Sequence, residues 1–156
     1  MSEENRAVFS IEKVYLKDLS LEIPNAPQVF LESEAPQIDI NLHNEARALD
    51  AGLYEVVLTA TVTARAKDRT AFLVEAAQAG IFQIRNVAQQ ELEALLGITC
   101  GDILFPYLRE TVSSVVARGG FPPFFLNPVR FEDLYRQHVE RQREQQRQAG
   151  APPPAS

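Results

Sequence analysis

Apolar and polar residues alternate with a period of two along four stretches, the spacing that sends successive side chains to opposite faces of a β-strand. The second stretch is the cleanest, with Ile38, Ile40 and Leu42 interleaved with Asp39, Asn41 and His43. The third, about Leu53 to Arg65, sets Tyr54, Val56, Leu58, Ala60, Val62 and Ala64 against Glu55, Thr59, Thr61 and Thr63. The fourth, about Thr70 to Gln78, sets Phe72, Val74 and Ala76 against Leu73 and Glu75. The first, about Val8 to Leu21, is less regular. Phe9, Ile11, Tyr15, Leu19 and Leu21 share one parity and Ser10, Glu12, Asp18 and Ser20 the other, yet Val14 and Leu16 fall among the polar set.

Ala66-Lys67-Asp68-Arg69 is short and polar enough to be a hairpin turn between the third and fourth strands. Strands that follow one another without an intervening helix predict an antiparallel meander. Pro24 and Pro27 would interrupt a strand ladder, so Ile23 to Phe30 reads as a stiff crossover loop.

Beyond the strands the period becomes helical. Asn86 with Gln89 three residues on has the capping-box spacing, and Gly97 after Leu95 and Leu96 reads as a C-cap. A longer helix is predicted after Asp102, with Leu104, Leu108, Val112, Val115 and Val116 as its apolar stripe and Pro106 in its first turn. Gly119-Gly120 ends it. Phe121 to Pro128 must be a loop, and a last helix is expected over about Phe131 to Arg147, followed by a frayed tail from Ala149. The chain reads as one domain of 156 residues with its core at about 8–147 and flexible termini.

The formal charge of −6 is unevenly placed: Met1 to Ala60 carries eleven acids against four bases, a net of −7. Such an acidic half argues against phosphate-backbone binding and suits a basic protein partner. The single cysteine, Cys100, allows no intrachain disulfide and fits a reducing compartment. The amino terminus lacks the basic and apolar regions of a signal peptide, and no apolar run approaches the ~20 residues that span a bilayer. A cytoplasmic protein is expected.

The search for chemistry finds little. His43 and His138 have no partners at metal-ligand spacing, Cys100 has no identifiable base, and Ser113-Ser114 lies in a helical pattern. No catalytic residue, metal or cofactor is expected. Apolar side chains stand instead on loops: Val29 and Phe30 on one, Phe121, Phe124, Phe125 and Leu126 on another. They either complete the core or line an open groove or an interface between subunits.

Leu21-Glu22-Ile23-Pro24-Asn25-Ala26-Pro27 resembles the Pro-Asn-Ala-Pro signature of the SecB family. The likeness continues in order through Tyr54 to Leu58, Thr61 to Ala64, Thr70 to Glu75, Gly80-Ile81-Phe82, Ile103 to Tyr107, Arg118-Gly119 with Phe121-Pro122, and Pro128-Val129 with Phe131. It departs at the alanine-rich Ala76 to Ala79 and at Val74, which stands where the family often has cysteine.

The resemblance implies an α+β subunit, a four-stranded antiparallel sheet with helices packed on one side, assembled as a dimer of dimers. It implies an ATP-independent, non-enzymatic holdase for unfolded secretory precursors that delivers them to the SecA motor. By position, the family's SecA-binding surface falls on Asp18, Glu22, Leu73 and Glu75. Its partner is the small basic zinc-bearing tail of SecA, so the zinc is the partner's. The precursor groove is expected at Phe30, Ile38, Ile40, Leu42, Phe121 and Leu126. Competing readings are a SecB-like chaperone with a non-export client, a carrier of small apolar ligands, and a hot-dog-like enzyme, although the last would place its long helix before the main strands.

Overall fold

A computed structural model describes residues 5–150. Four strands, β1 (Val8–Glu22), β2 (Gln37–Asp50), β3 (Leu53–Ala66) and β4 (Arg69–Arg85), precede three helices, α1 (Gln89–Ala94), α2 (Cys100–Arg118) and α3 (Phe131–Gly150). The strands form one antiparallel sheet in the order β1-β4-β3-β2. Strands β2, β3 and β4 are the expected meander, joined by tight turns in which Gly52 and Lys67 take positive φ. The crossover segment then carries the chain from β1 on one edge to β2 on the other. It is less extended than the prolines suggest, because Gln28–Leu31 winds into a short 3-10 turn that buries Val29.

Directly paired residues share a face of the sheet. One face is covered: Phe72, Val74, Ala76, Phe82 and Ile84 of β4 and Val56, Leu58, Ala60, Val62 and Ala64 of β3 form the core with Leu104, Leu108, Val112 and Val116 of α2. The other face is open, and carries Thr59, Thr61, Thr63, Leu73 and Glu75.

The irregular pattern of β1 has a physical cause. Its register against β4 slips by one residue at Glu12 and again at Lys17, two β-bulges. Each slip exchanges the parity that faces the core. Phe9 and Ile11, then Val14 and Leu16, then Leu19 and Leu21 therefore pair with covered-face residues of β4, and Tyr15 is turned to the open face.

Four local expectations are corrected. β4 does not stop near Gln78 but continues to Arg85, since Ala79 to Arg85 find partners on both β1 and β3. Asn86 is not an N-cap: it adopts φ 61°, its amide donates to the Arg6 carbonyl oxygen at 2.8 Å, and α1 starts after Ala88. Gly97 is not a C-cap, because a π-helical turn, Leu95–Thr99, runs α1 straight into α2. Gly97 serves close approach instead; a Cβ there would stand 2.7 Å from Cδ2 of Tyr135 in α3. With the helices continuous, Pro106 lies in the helix interior rather than in a first turn. Gly119 and Gly120 do end α2, with Gly120 at φ 89°. Helix α3 extends through Ala149 and Gly150, and the rest of the expected tail lies outside the described residues.

Candidate client groove and docking face

The open face gathers the four residues expected to dock SecA. Glu22 of β1 pairs with Leu73 of β4, the next same-face pair is Ser20 with Glu75, and Asp18 follows opposite Ala77. Three carboxylates thus stand within three successive same-face rungs, beside Thr59, Thr61 and Thr63 of β3. Asp18, Glu22 and Glu75 are exposed and Leu73 is half-buried. The surface is anionic with one apolar contact in it, which suits a basic segment carrying an apolar side chain.

Next to Asp18 lies a feature that sequence reasoning missed. Glu55 of β3 is buried, yet its carboxylate accepts from the Tyr15 hydroxyl, from Lys17 Nζ at 2.9 Å and from Arg47 Nε at 2.9 Å. Tyr15, then Lys17 and Arg47, hold its carboxyl down at about 2 despite burial. Burial and the Glu55 carboxylate push the Tyr15 phenol up to about 12. The cluster joins β1, β3 and β2 across the open face and borders a depression of about 320 Å³ floored by Val57 and Ala77. Glu55 alone on the polar parity of a strand was the only signal in the sequence; its partners come from distant strands.

The groove residues divide. Phe30 packs on Phe121 with ring centroids 5.1 Å apart, and Phe121 on Phe72 at 4.7 Å, so the crossover segment and the loop after α2 meet over one end of the covered face. Phe72 pairs with Ala64, and Ala64 with Ile38, which puts Ile38 in that same row; Ile40 follows beside Val62. Phe30, Ile38 and Ile40 are 46%, 41% and 40% exposed, whereas their neighbours Ala64 and Val62 are sealed. An apolar shelf therefore runs along edge strand β2, beyond the reach of α2. Leu42 lies farther along the strand and lines a separate depression of about 380 Å³ with Phe131, Leu134 and Tyr135 under α3. Leu126 is 2% exposed, inside the core, and offers no surface in this arrangement.

The half-exposed Leu134 and the largely exposed Phe125 also present apolar surface, and Arg109 lies over the Phe125 ring at 5.2 Å. Edge strand β1 presents a second half-exposed stripe, Phe9, Ile11, Leu16 and Leu19, on its covered-face side. No helix among the described residues is long and apolar enough to cross a membrane.

Residues 2–142 match the family Preprotein translocase subunit SecB. A protein-export protein SecB of Methylobacillus flagellatus is 59% identical over 141 residues, covering 90% of each chain. That of Thiobacillus denitrificans is 56% identical over 151 residues, covering 97% of each. Among solved structures, a SecB-like chaperone of Mycobacterium tuberculosis, in complex with an antitoxin-derived peptide, superposes with a TM-score of 0.65. It is 19% identical over 78% of this chain and 90% of its own, a likeness of fold. A family match over residues 2–142, together with relatives above half identity over nine-tenths or more of the chain, establishes that this protein belongs to the SecB family.

Proposed function

We propose that this protein is an ATP-independent, cytoplasmic protein-export chaperone that holds unfolded precursors on its apolar shelf and presents its acidic open face to SecA. The observation that carries the reading is the separation of the two surfaces. The shelf at Phe30, Ile38, Ile40 and Phe121 is on the covered side of the sheet, and Asp18, Glu22, Leu73 and Glu75 are on the other. One molecule can then hold a client and meet a motor at once.

The shelf suits extended, unspecific clients. Apolar contact gains roughly 25 cal/mol per Å² buried, and a bound chain can also pair its main chain with the free edge of β2. Neither interaction reads sequence closely.

A homotetramer, as a dimer of dimers, completes the reading. The half-exposed apolar stripe Phe9, Ile11, Leu16 and Leu19 on edge strand β1 supplies surface for a second copy. Several shelves on one assembly multiply weak client contacts through effective concentration.

The test is to dilute a slow-folding secretory precursor from denaturant with and without a stoichiometric amount of the folded protein, in the absence of ATP. A marked delay in refolding, relieved on release, is expected; no delay with several precursors overturns the holdase reading. For the docking face, Glu75→Lys is expected to abolish most SecA binding while the delay persists. Unchanged affinity would sink that assignment.

A further inference from the structure

The two bulges of β1 pose a question of economy. Leu16 pairs with Gln78 and Asp18 with Ala77, consecutive residues of β4, so Lys17 is an extra residue in the ladder. Remove it, and Leu16 and Asp18 still alternate: Leu16, Leu19 and Leu21 would face the core, and Asp18, Ser20 and Glu22 the open side. The hydrophobic pattern therefore does not require Lys17. Its place must be explained by what the bulge does.

The bulge is anchored from both faces. On the open side, Lys17 Nζ reaches both carboxylate oxygens of Glu55, at 2.9 and 3.0 Å. On the covered side, the buried amide of Gln78 donates to the Tyr15 carbonyl oxygen at 3.1 Å. Glu55 is fixed in turn by Tyr15 from β1 and by Arg47 from β2. A bulge bends its strand and increases the local twist, and so re-aims the side chains that follow it. Here the residues that follow are Asp18, Ser20 and Glu22, the β1 contribution to the acidic face.

We infer that Lys17 is a positioning residue for the docking face: the bulge around it, pinned to Glu55, sets the angle at which Asp18 and Glu22 are presented beside Glu75 to a basic segment of SecA. The inference rests on the docking reading above and adds to it the element that shapes the site. Lys17 itself does not have to touch the partner.

Glu12 supplies an internal control. It is the extra residue of the other bulge, between Ile11 and Lys13, and its removal likewise preserves every facing but lies far along the strand from the acids. The experiment measures SecA affinity by titration calorimetry, and precursor holding in parallel, for deletions of Lys17 and of Glu12 and for Glu75→Lys. Deletion of Lys17 is expected to weaken SecA by about tenfold while holding is kept, and deletion of Glu12 to do neither. Parent-like affinity in the Lys17 deletion overturns the inference, and so does an equal loss in both deletions. Unchanged affinity in Glu75→Lys would instead overturn the docking reading, and this inference with it. Should the deletion fold poorly, Lys17→Met keeps the strand length and removes the ammonium. It is expected to lose about threefold and Lys17→Arg to restore binding, and equal affinity in all three also overturns the proposal.

Discussion

The ring of Tyr135 lies directly on Gly97, leaving no room for a side chain: a Cβ there would approach Tyr135 Cδ2 to 2.7 Å. This is the point at which α3 docks on the helical run that crosses the sheet. Tyr135 is half-buried and most of α3 beyond it is in solvent, so α3 will yield before the sheet does. Gly97→Ala is expected to cost about 1–3 kcal/mol, the usual penalty of overpacking. Hydrogen exchange should locate the loss, with amides at 131–139 exchanging faster and those of β3 and β4 unchanged. Uniform acceleration across the sheet would mean that α3 does not move independently.

Glu55 makes stability depend on acid. Its carboxyl is lowered from 4.5 to about 2, first by Tyr15 and then by Lys17. A depressed folded-state value means that the contribution is complete above about 4.5 and is lost as pH falls towards about 2. Tyr15, raised from 10.0 to about 12, acts oppositely; its contribution is complete below 10 and fades as pH rises towards 12. Urea midpoints between pH 5 and pH 2.5 should fall steeply in the parent and more gently in Glu55→Gln. Equally steep acid limbs would remove Glu55 from the account.

Much of this fold is written locally. The alternation at Ile38 to His43 and at Tyr54 to Ala64 gives strands and their faces directly, and Gly119-Gly120 gives a helix end. What is not legible depends on partners far along the chain. Val14 and Leu16 read as noise in β1 until β4 reveals the slips at Glu12 and Lys17. Gly97 reads as a terminus because a glycine after two leucines has the same local signature whether it ends a helix or admits a ring from α3. The acidic face was legible only through family likeness, since no period within β1 or β4 says that Glu22 will lie beside Leu73. Leu126 shows the converse limit: an apolar residue on a loop does not announce whether it closes over the core or stays open, and here it is buried.

Client holding and stability should separate along β2. Ile38 and Ile40 are about two-fifths exposed, whereas Val62, paired with Ile40, is fully buried. Ile38→Ser with Ile40→Ser is expected to remove most of the delay in precursor refolding at a stability cost of about 1 kcal/mol. Val62→Ala should do the reverse, losing about 1–3 kcal/mol and leaving holding intact where the protein remains folded. Chemical denaturation and the refolding assay, run on the same preparations, decide it. Full holding by the double serine variant would move the client site off this shelf.

Cys100 reports on the opening of the same helical junction. It is fully buried at the start of α2, and burial pushes its thiol up to about 12. Burial and the raised thiol both disfavour the reactive thiolate. The folded protein should therefore resist iodoacetamide, and labelling should require an opening event. Gly101, the next residue, lies against the ring of Phe131, where a Cβ would stand 2.7 Å from Cδ1. The start of α3 thus packs against the residue next to Cys100, and its local release should loosen the cover over this part of α2. Gly97→Ala, which lifts α3 at Tyr135, is then expected to speed labelling of Cys100 by more than its loss of global stability predicts. Labelling that tracks global stability alone would show that the thiol is exposed only when the whole sheet unfolds.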